Sequence, residues 1–176
     1  MKHYLFVRSA VAALALTAVC SPALAEGKAN GSYRAPTALE GTWRATITPY
    51  NCVSLQEFPQ FAFQSMLSFS AGGTLFETTS NANFAPGQRS AGFGYWERTG
   101  PNFYRAVIEA YIQFTLPEAP PPPRPYYRRG RQILAQGIQM VDNDRWTSLA
   151  TVEFFDLDGT PTTPAGCAKA EGTRMP

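Results

Sequence analysis

Between residues 41 and 49 the chain alternates: Trp43, Ala45 and Ile47 are apolar, and Thr42, Arg44, Thr46 and Thr48 are polar. This is the two-residue period of a strand with one buried face. The period returns over 61–70, with Phe61, Phe63, Leu67 and Phe69 opposed to Gln64, Ser68 and Ser70, and after Ala71-Gly72-Gly73-Thr74 a third strand is predicted over 75–80. The glycine pair suits a tight hairpin, because glycine takes positive φ at no steric cost. Pro86-Gly87 marks 81–90 as a loop, and a short aromatic strand follows over 92–98. The longest alternation covers 103–114, where Tyr104, Ala106, Ile108, Ala110, Ile112 and Phe114 share one face, and Arg105, Val107, Glu109, Tyr111 and Gln113 the other. Strands at 132–141, 146–155 and 165–174 complete the pattern, set apart by Asp142-Asn143-Asp144 and Asp156-Leu157-Asp158-Gly159.

About eight strands joined by hairpin turns, with no helical period beside them, predict an all-β domain. It reads as a single up-and-down antiparallel β-barrel closed between its first and last strands, or a sandwich. Closure is favoured because it removes both sheet edges. The pattern breaks over 116–131, LPEAPPPPRPYYRRGR, whose proline run cannot donate ladder hydrogen bonds and takes an extended course. This Pro/Arg-rich loop reads as a cover over one barrel mouth, a docking segment for a protein partner or an anionic glycan, or a solvated insertion.

The first 25 residues stand apart from the barrel domain of 39–176. Lys2 and Arg8 precede the apolar run VAALALTAV, and Ala23-Leu24-Ala25 matches a secretory cleavage site, so 1–25 is expected to be a signal peptide. Cys20 raises a lipoprotein alternative, opposed by Thr17 three residues earlier. Residues 26–38, rich in Gly, Asn, Ser and Pro, read as a flexible leader. The apolar run is too short to span a bilayer, so no transmembrane segment is expected and the protein is placed in the periplasm or outside the cell.

Removing this segment changes the chemistry on offer. The sole histidine, His3, is lost, and without Lys2 and Arg8 there remain 13 basic against 13 acidic residues. A neutral mature chain gives no argument for nucleic acid as a partner. Loss of histidine excludes Ser-His-Asp and Cys-His catalysis and removes the commonest zinc and copper ligand, so no metal or cofactor is expected. Cys52 and Cys167 remain; in an exported chain an even pair reads as a disulfide rather than as two free thiols. A closed barrel sets the end of the first strand beside the start of the last, so the pair would stitch the closure seam.

Gly41-Thr42-Trp43 heading the first strand, with Arg174 ending the last, resembles the calycin arrangement of lipocalins and their relatives. The resemblance implies that Trp43 plugs the barrel base and that Arg174 packs over it, its guanidinium stacked on the indole and bonded to nearby carbonyls. The long 116–131 loop, the missing C-terminal helix and the seam disulfide depart from lipocalins and leave room for a barrel similar to the allene oxide cyclase group. The chain also resembles exported bacterial proteins with a GTW start and a late cysteine strand, which implies a fold and no particular activity.

Three functions are open on these residues. The aromatic set Phe61, Phe63, Phe69, Phe93, Trp96, Trp146 and Phe154 would line a lumen that holds a small apolar or amphipathic ligand, or would fill it as core. Were the polar face of 103–114 turned inward, Glu109 as base with Tyr111 and Arg105 would make a cofactor-independent cyclase or isomerase; turned outward, the trio is an ordinary solvated face. A scaffold acting on a protein partner through its loops is the third. Asp142, Asp144, Asp156 and Asp158 raise calcium, but lack the twelve-residue loop closed by glutamate and read as turn formers.

Overall fold

A computed structural model describes residues 38–162 and 165–176. The expected signal peptide, and the expected leader as far as residue 37, lie outside them. Eight antiparallel strands, β1 (Gly41–Tyr50), β2 (Phe63–Phe69), β3 (Thr74–Thr79), β4 (Gly92–Arg98), β5 (Phe103–Ile112), β6 (Gly130–Met140), β7 (Arg145–Phe155) and β8 (Gly166–Arg174), follow one another around a closed up-and-down barrel. The closing pair is β1 with β8, in register from Trp43 opposite Arg174 to Tyr50 opposite Cys167. No helix among the described residues is long and apolar enough to cross a membrane.

The alternation decides which way each strand faces. Tyr104, Ala106, Ile108, Ala110 and Ile112 of β5 are buried inside, while Arg105, Glu109 and Tyr111 face out. Three strand ends differ from the pattern by two residues: β6 starts early, at Gly130 inside the expected loop, and the other two differ for local reasons. β2 starts at Phe63 because Pro59 opens a 3-10 turn over Pro59–Phe61, where its missing N–H costs nothing. β5 stops at Ile112 because the Gln113 N–H donates to the Gln88 carbonyl (2.8 Å), which hands the chain to the neighbouring loop.

The two barrel ends are unlike. At one, three short hairpins and the start of β1 surround a sealed base, where Trp43 meets Trp146 edge to face (6.2 Å between ring centres) and Trp96 meets both Phe69 (6.0 Å) and Tyr104 (5.8 Å). Fully burying side chains of this size contributes about 2–3 kcal/mol each. Gly41 is required there: its φ is +127°, and a Cβ would fall 2.6 Å from Arg174 Nη1. The long connections, after β1, β3, β5 and β7, gather at the other end, which forms the mouth.

Cys52, just past β1, and Cys167, in β8, form a disulfide at the mouth end of the seam, with Cα atoms 5.3 Å apart and a separation of 115 positions in sequence. Close by, Lys169 of β8 reaches Glu57 (2.7 Å), a contact that holds the lysine amine above its ordinary pKa. The aspartates weighed for calcium serve their turns. The Asp144 N–H donates to Asp142 Oδ1 (2.9 Å) and, with the Arg145 side chain, keeps that carboxyl low; Thr160 does the same for Asp158.

Candidate functional site

Above the aromatic base the lumen is not filled. A cavity of about 200 Å³ extends from Trp146 toward the mouth, walled by Ile47, Leu67, Ile108, Leu134 and Val152. Its cover is aromatic: the Tyr127 ring stacks between Phe84 (4.6 Å, 25°) and Phe154 (4.5 Å, 30°). Phe84 comes from the loop after β3, Tyr127 from the Pro/Arg-rich loop, and Phe154 from β7. Burial in this stack pushes the Tyr127 phenol up to about 12.

The Pro/Arg-rich loop reaches the lumen through that tyrosine alone, while its prolines 121–123 and Arg124, Arg128 and Arg129 stay exposed. Its two ends are drawn together by the Tyr126 hydroxyl donating to the Leu116 carbonyl (2.6 Å) and the Arg129 N–H donating to Thr115 Oγ1 (2.7 Å). Gln88, fully buried, ties it to the loop after β3: its Nε2 donates to the carbonyls of Phe114 (3.2 Å) and Tyr127 (3.4 Å), and its Oε1 accepts from the Ala85 N–H (3.0 Å). The cover is thus pinned on both sides by hydrogen bonds between side chains and backbone.

The cavity wall is polar on one side. Glu77 of β3 and Arg89 form an ion pair at 2.7 Å with both side chains only 6% exposed. Arg89 also donates from Nε to Gln132 Oε1 and from Nη1 to the Ser90 carbonyl (3.1 Å), and Ser65 Oγ donates to the other Glu77 oxygen (3.1 Å). Three of the five guanidinium N–H groups, one on each nitrogen, are thereby bonded, and the pair adds no net charge to the lumen. Further hydrogen bonds offset the cost of burying such a pair, and here both Glu77 oxygens and all three guanidinium nitrogens have one. Deeper in, Ser148 Oγ donates to Gln136 Oε1 (3.1 Å). Gln136 Nε2 and the Trp146 indole N–H, both buried, have no partner among the described residues.

The residues singled out from sequence are distributed around this site rather than gathered in it. Phe63, Trp146 and Phe154 line the cavity; Phe69 and Trp96 are packed into the base below it. Phe61 lies in the 3-10 turn at the outer rim beside Phe58, and Phe93 is on the outer surface, edge to face with Phe76 (5.1 Å). Arg105 pairs loosely with Glu97 and Glu109 with Arg131, each at 3.9 Å, and Tyr111 is 65% exposed. The inward position on which their catalytic role depended is thus taken by the apolar face of β5. Glu77, Arg89, Gln132, Gln136 and Tyr127 escaped sequence reasoning. For Glu77 a signal existed: it stands two residues from Leu75, at an inward position of a strand.

Trp43 and Arg174 meet at the base. The guanidinium centre lies 4.2 Å from the Trp43 ring centre, and the indole N–H donates to the Leu39 carbonyl (2.9 Å). No protein-family model matches the chain, and no curated protein sequence does. Among solved structures, that of EF1p2_mFAP2b bound to DFHBI is similar, with a TM-score of 0.50 and 17% identity over 78% of this chain and 94% of that one. At this identity the likeness is one of fold, and the chain shares with that protein the architecture of its barrel.

Proposed function

We propose that the protein is an exported barrel that binds a small, largely apolar molecule in its lumen. The observation that carries this reading is the cavity of about 200 Å³ left between a tightly packed base and a pinned aromatic cover. A filled core of this size would close such a space, since interiors pack to the density of organic crystals. A cavity of about 150 Å³ takes benzene, so this volume suits a compound of one ring with a short substituent rather than a long acyl chain. The disulfide fits an oxidising compartment and supports export. The similar barrel bound to DFHBI accords with a ligand-holding role.

Titration of the folded protein with toluene, followed through the methyl resonances of Ile47, Leu134 and Val152, tests this. Saturable shifts confined to the cavity methyls support the reading; unmoved methyls up to the solubility of toluene would sink it.

A further inference from the structure

Resting on that reading, we infer that the ligand carries a hydrogen-bond acceptor, a carbonyl or an equivalent uncharged oxygen or nitrogen, and that the Gln136 carboxamide N–H is the group that selects it. The argument starts from which polar groups in the lumen are already satisfied. Glu77, Arg89, Gln132 and Ser65 bond one another, and each guanidinium nitrogen already donates to a protein oxygen. The arginine's charge is already balanced by Glu77, so a carboxylate or phosphate ligand would bring a second, uncompensated negative charge into the buried site or displace Glu77 from its partner. The lumen therefore disfavours anions in spite of its arginine.

What remains unmet is donors. Gln136 is 5% exposed, Ser148 occupies its Oε1, and its Nε2 has no partner among the described residues. Trp146, whose indole N–H is likewise unpartnered, lines the same cavity. An indole N–H can only donate. A buried donor without a partner costs about as much as a lost hydrogen bond, so a ligand that supplies an acceptor recovers that cost while one without it does not. Aromatic rings at both ends, Trp146 below and the Tyr127 stack above, suit a planar body. The ligand class is thus a small planar carbonyl compound or its heteroaromatic equivalent, uncharged when bound.

Acetophenone and α-methylstyrene differ only by C=O against C=CH2 and are the probes of choice. Their affinities are measured by calorimetry for the wild type and for Gln136→Met, which keeps length and removes the amide. The affinity ratio of acetophenone to α-methylstyrene is expected to be at least about tenfold higher in the wild type than in the variant. In the wild type alone, acetophenone and not α-methylstyrene moves the Gln136 side-chain amide protons downfield, a readout that stands if the variant does not fold. An equal ratio in both proteins, or a ratio of aniline to toluene that depends on Gln136 in place of the acetophenone ratio, overturns the inference and leaves the ligand-binding reading intact. Failure of the hydrocarbons and acetophenone alike to bind overturns both.

Discussion

Arg174 lies over Trp43 with its guanidinium centre 4.2 Å from the ring centre, and the two are register partners across the seam that closes the barrel. The same guanidinium donates to the carbonyls of Ala38 (2.6 Å), Glu40 (2.8 Å) and Asn143 (2.9 Å), so one side chain ties the start of β1, the β6–β7 hairpin and the end of β8. Arg174→Ala is expected to cost about 2–4 kcal/mol, from the lost cation–π contact and charge-assisted bonds. Arg174→Lys should recover only part, because the ammonium's three N–H groups radiate from one atom and cannot reach carbonyls that Nε, Nη1 and Nη2 serve separately. Urea unfolding gives the values; a loss under about 0.5 kcal/mol for Arg174→Ala would show that the base holds without it.

Gly41→Ala tests the same junction from the other side. The new methyl meets a positive φ and the Arg174 Nη1 atom together. A destabilisation of about 1–3 kcal/mol is expected. In the Gly41→Ala, Arg174→Ala double variant the steric part should vanish, so the two effects add to less than their sum.

What the chain declares about itself and what it conceals divide along physical lines. Eight strands and their facing were legible because a half-buried strand writes its burial as alternation, and Tyr104 to Ile112 is such a text. The seam was legible from Trp43, Arg174, Cys52 and Cys167 because each sits at the end of a readable strand. The lumenal network was not. Arg89 comes from a loop without periodicity, and its partner Glu77 is polar at an inward position, where alternation leads one to expect an apolar residue. Phe93 shows the reverse failure: it is aromatic, yet stands three residues from inward-facing Trp96 and so faces out, where Phe76 covers one of its edges. Aromatic content alone did not reveal which side of the wall it served.

The Glu77–Arg89 pair is expected to matter most when it is halved. Glu77→Gln strands a buried guanidinium and should cost about 3–5 kcal/mol, whereas Glu77→Leu with Arg89→Met removes both charges and should cost clearly less. Chemical unfolding of the two variants measures the contrast. A double variant less stable than Glu77→Gln would mean that the pair contributes net stability rather than shape and polarity to the lumen.

Reducing the Cys52–Cys167 disulfide releases a loop of 115 residues in the unfolded chain. The chain-entropy account assigns such a crosslink up to about 5 kcal/mol. The Cys52→Ser, Cys167→Ser variant should therefore melt well below the wild type, while the β1–β8 register keeps the folded barrel closed. Free-thiol labelling of the unfolded, unreduced wild type should find neither cysteine reactive; labelling of both would remove the crosslink from the account.

The cover should respond to alkali. Tyr127 holds its phenolic proton to about 12 when folded, against 10.0 for a free tyrosine, because the stack between Phe84 and Phe154 gives no solvation to a phenolate. A pKa raised on folding stabilises the protein fully below pH 10. That contribution is lost as pH climbs to about 12, and two units correspond to about 3 kcal/mol. Tyr127→Phe keeps both ring contacts and cannot ionise, so it should match the wild type at pH 8 and lose distinctly less stability between pH 10 and 12. Thermal unfolding of both proteins across that range, with absorbance at about 295 nm counting tyrosinates, decides the matter. Parallel losses would place the alkaline transition elsewhere, whereas a resistant variant with one fewer late-titrating phenol assigns it to the ring that closes the lumen.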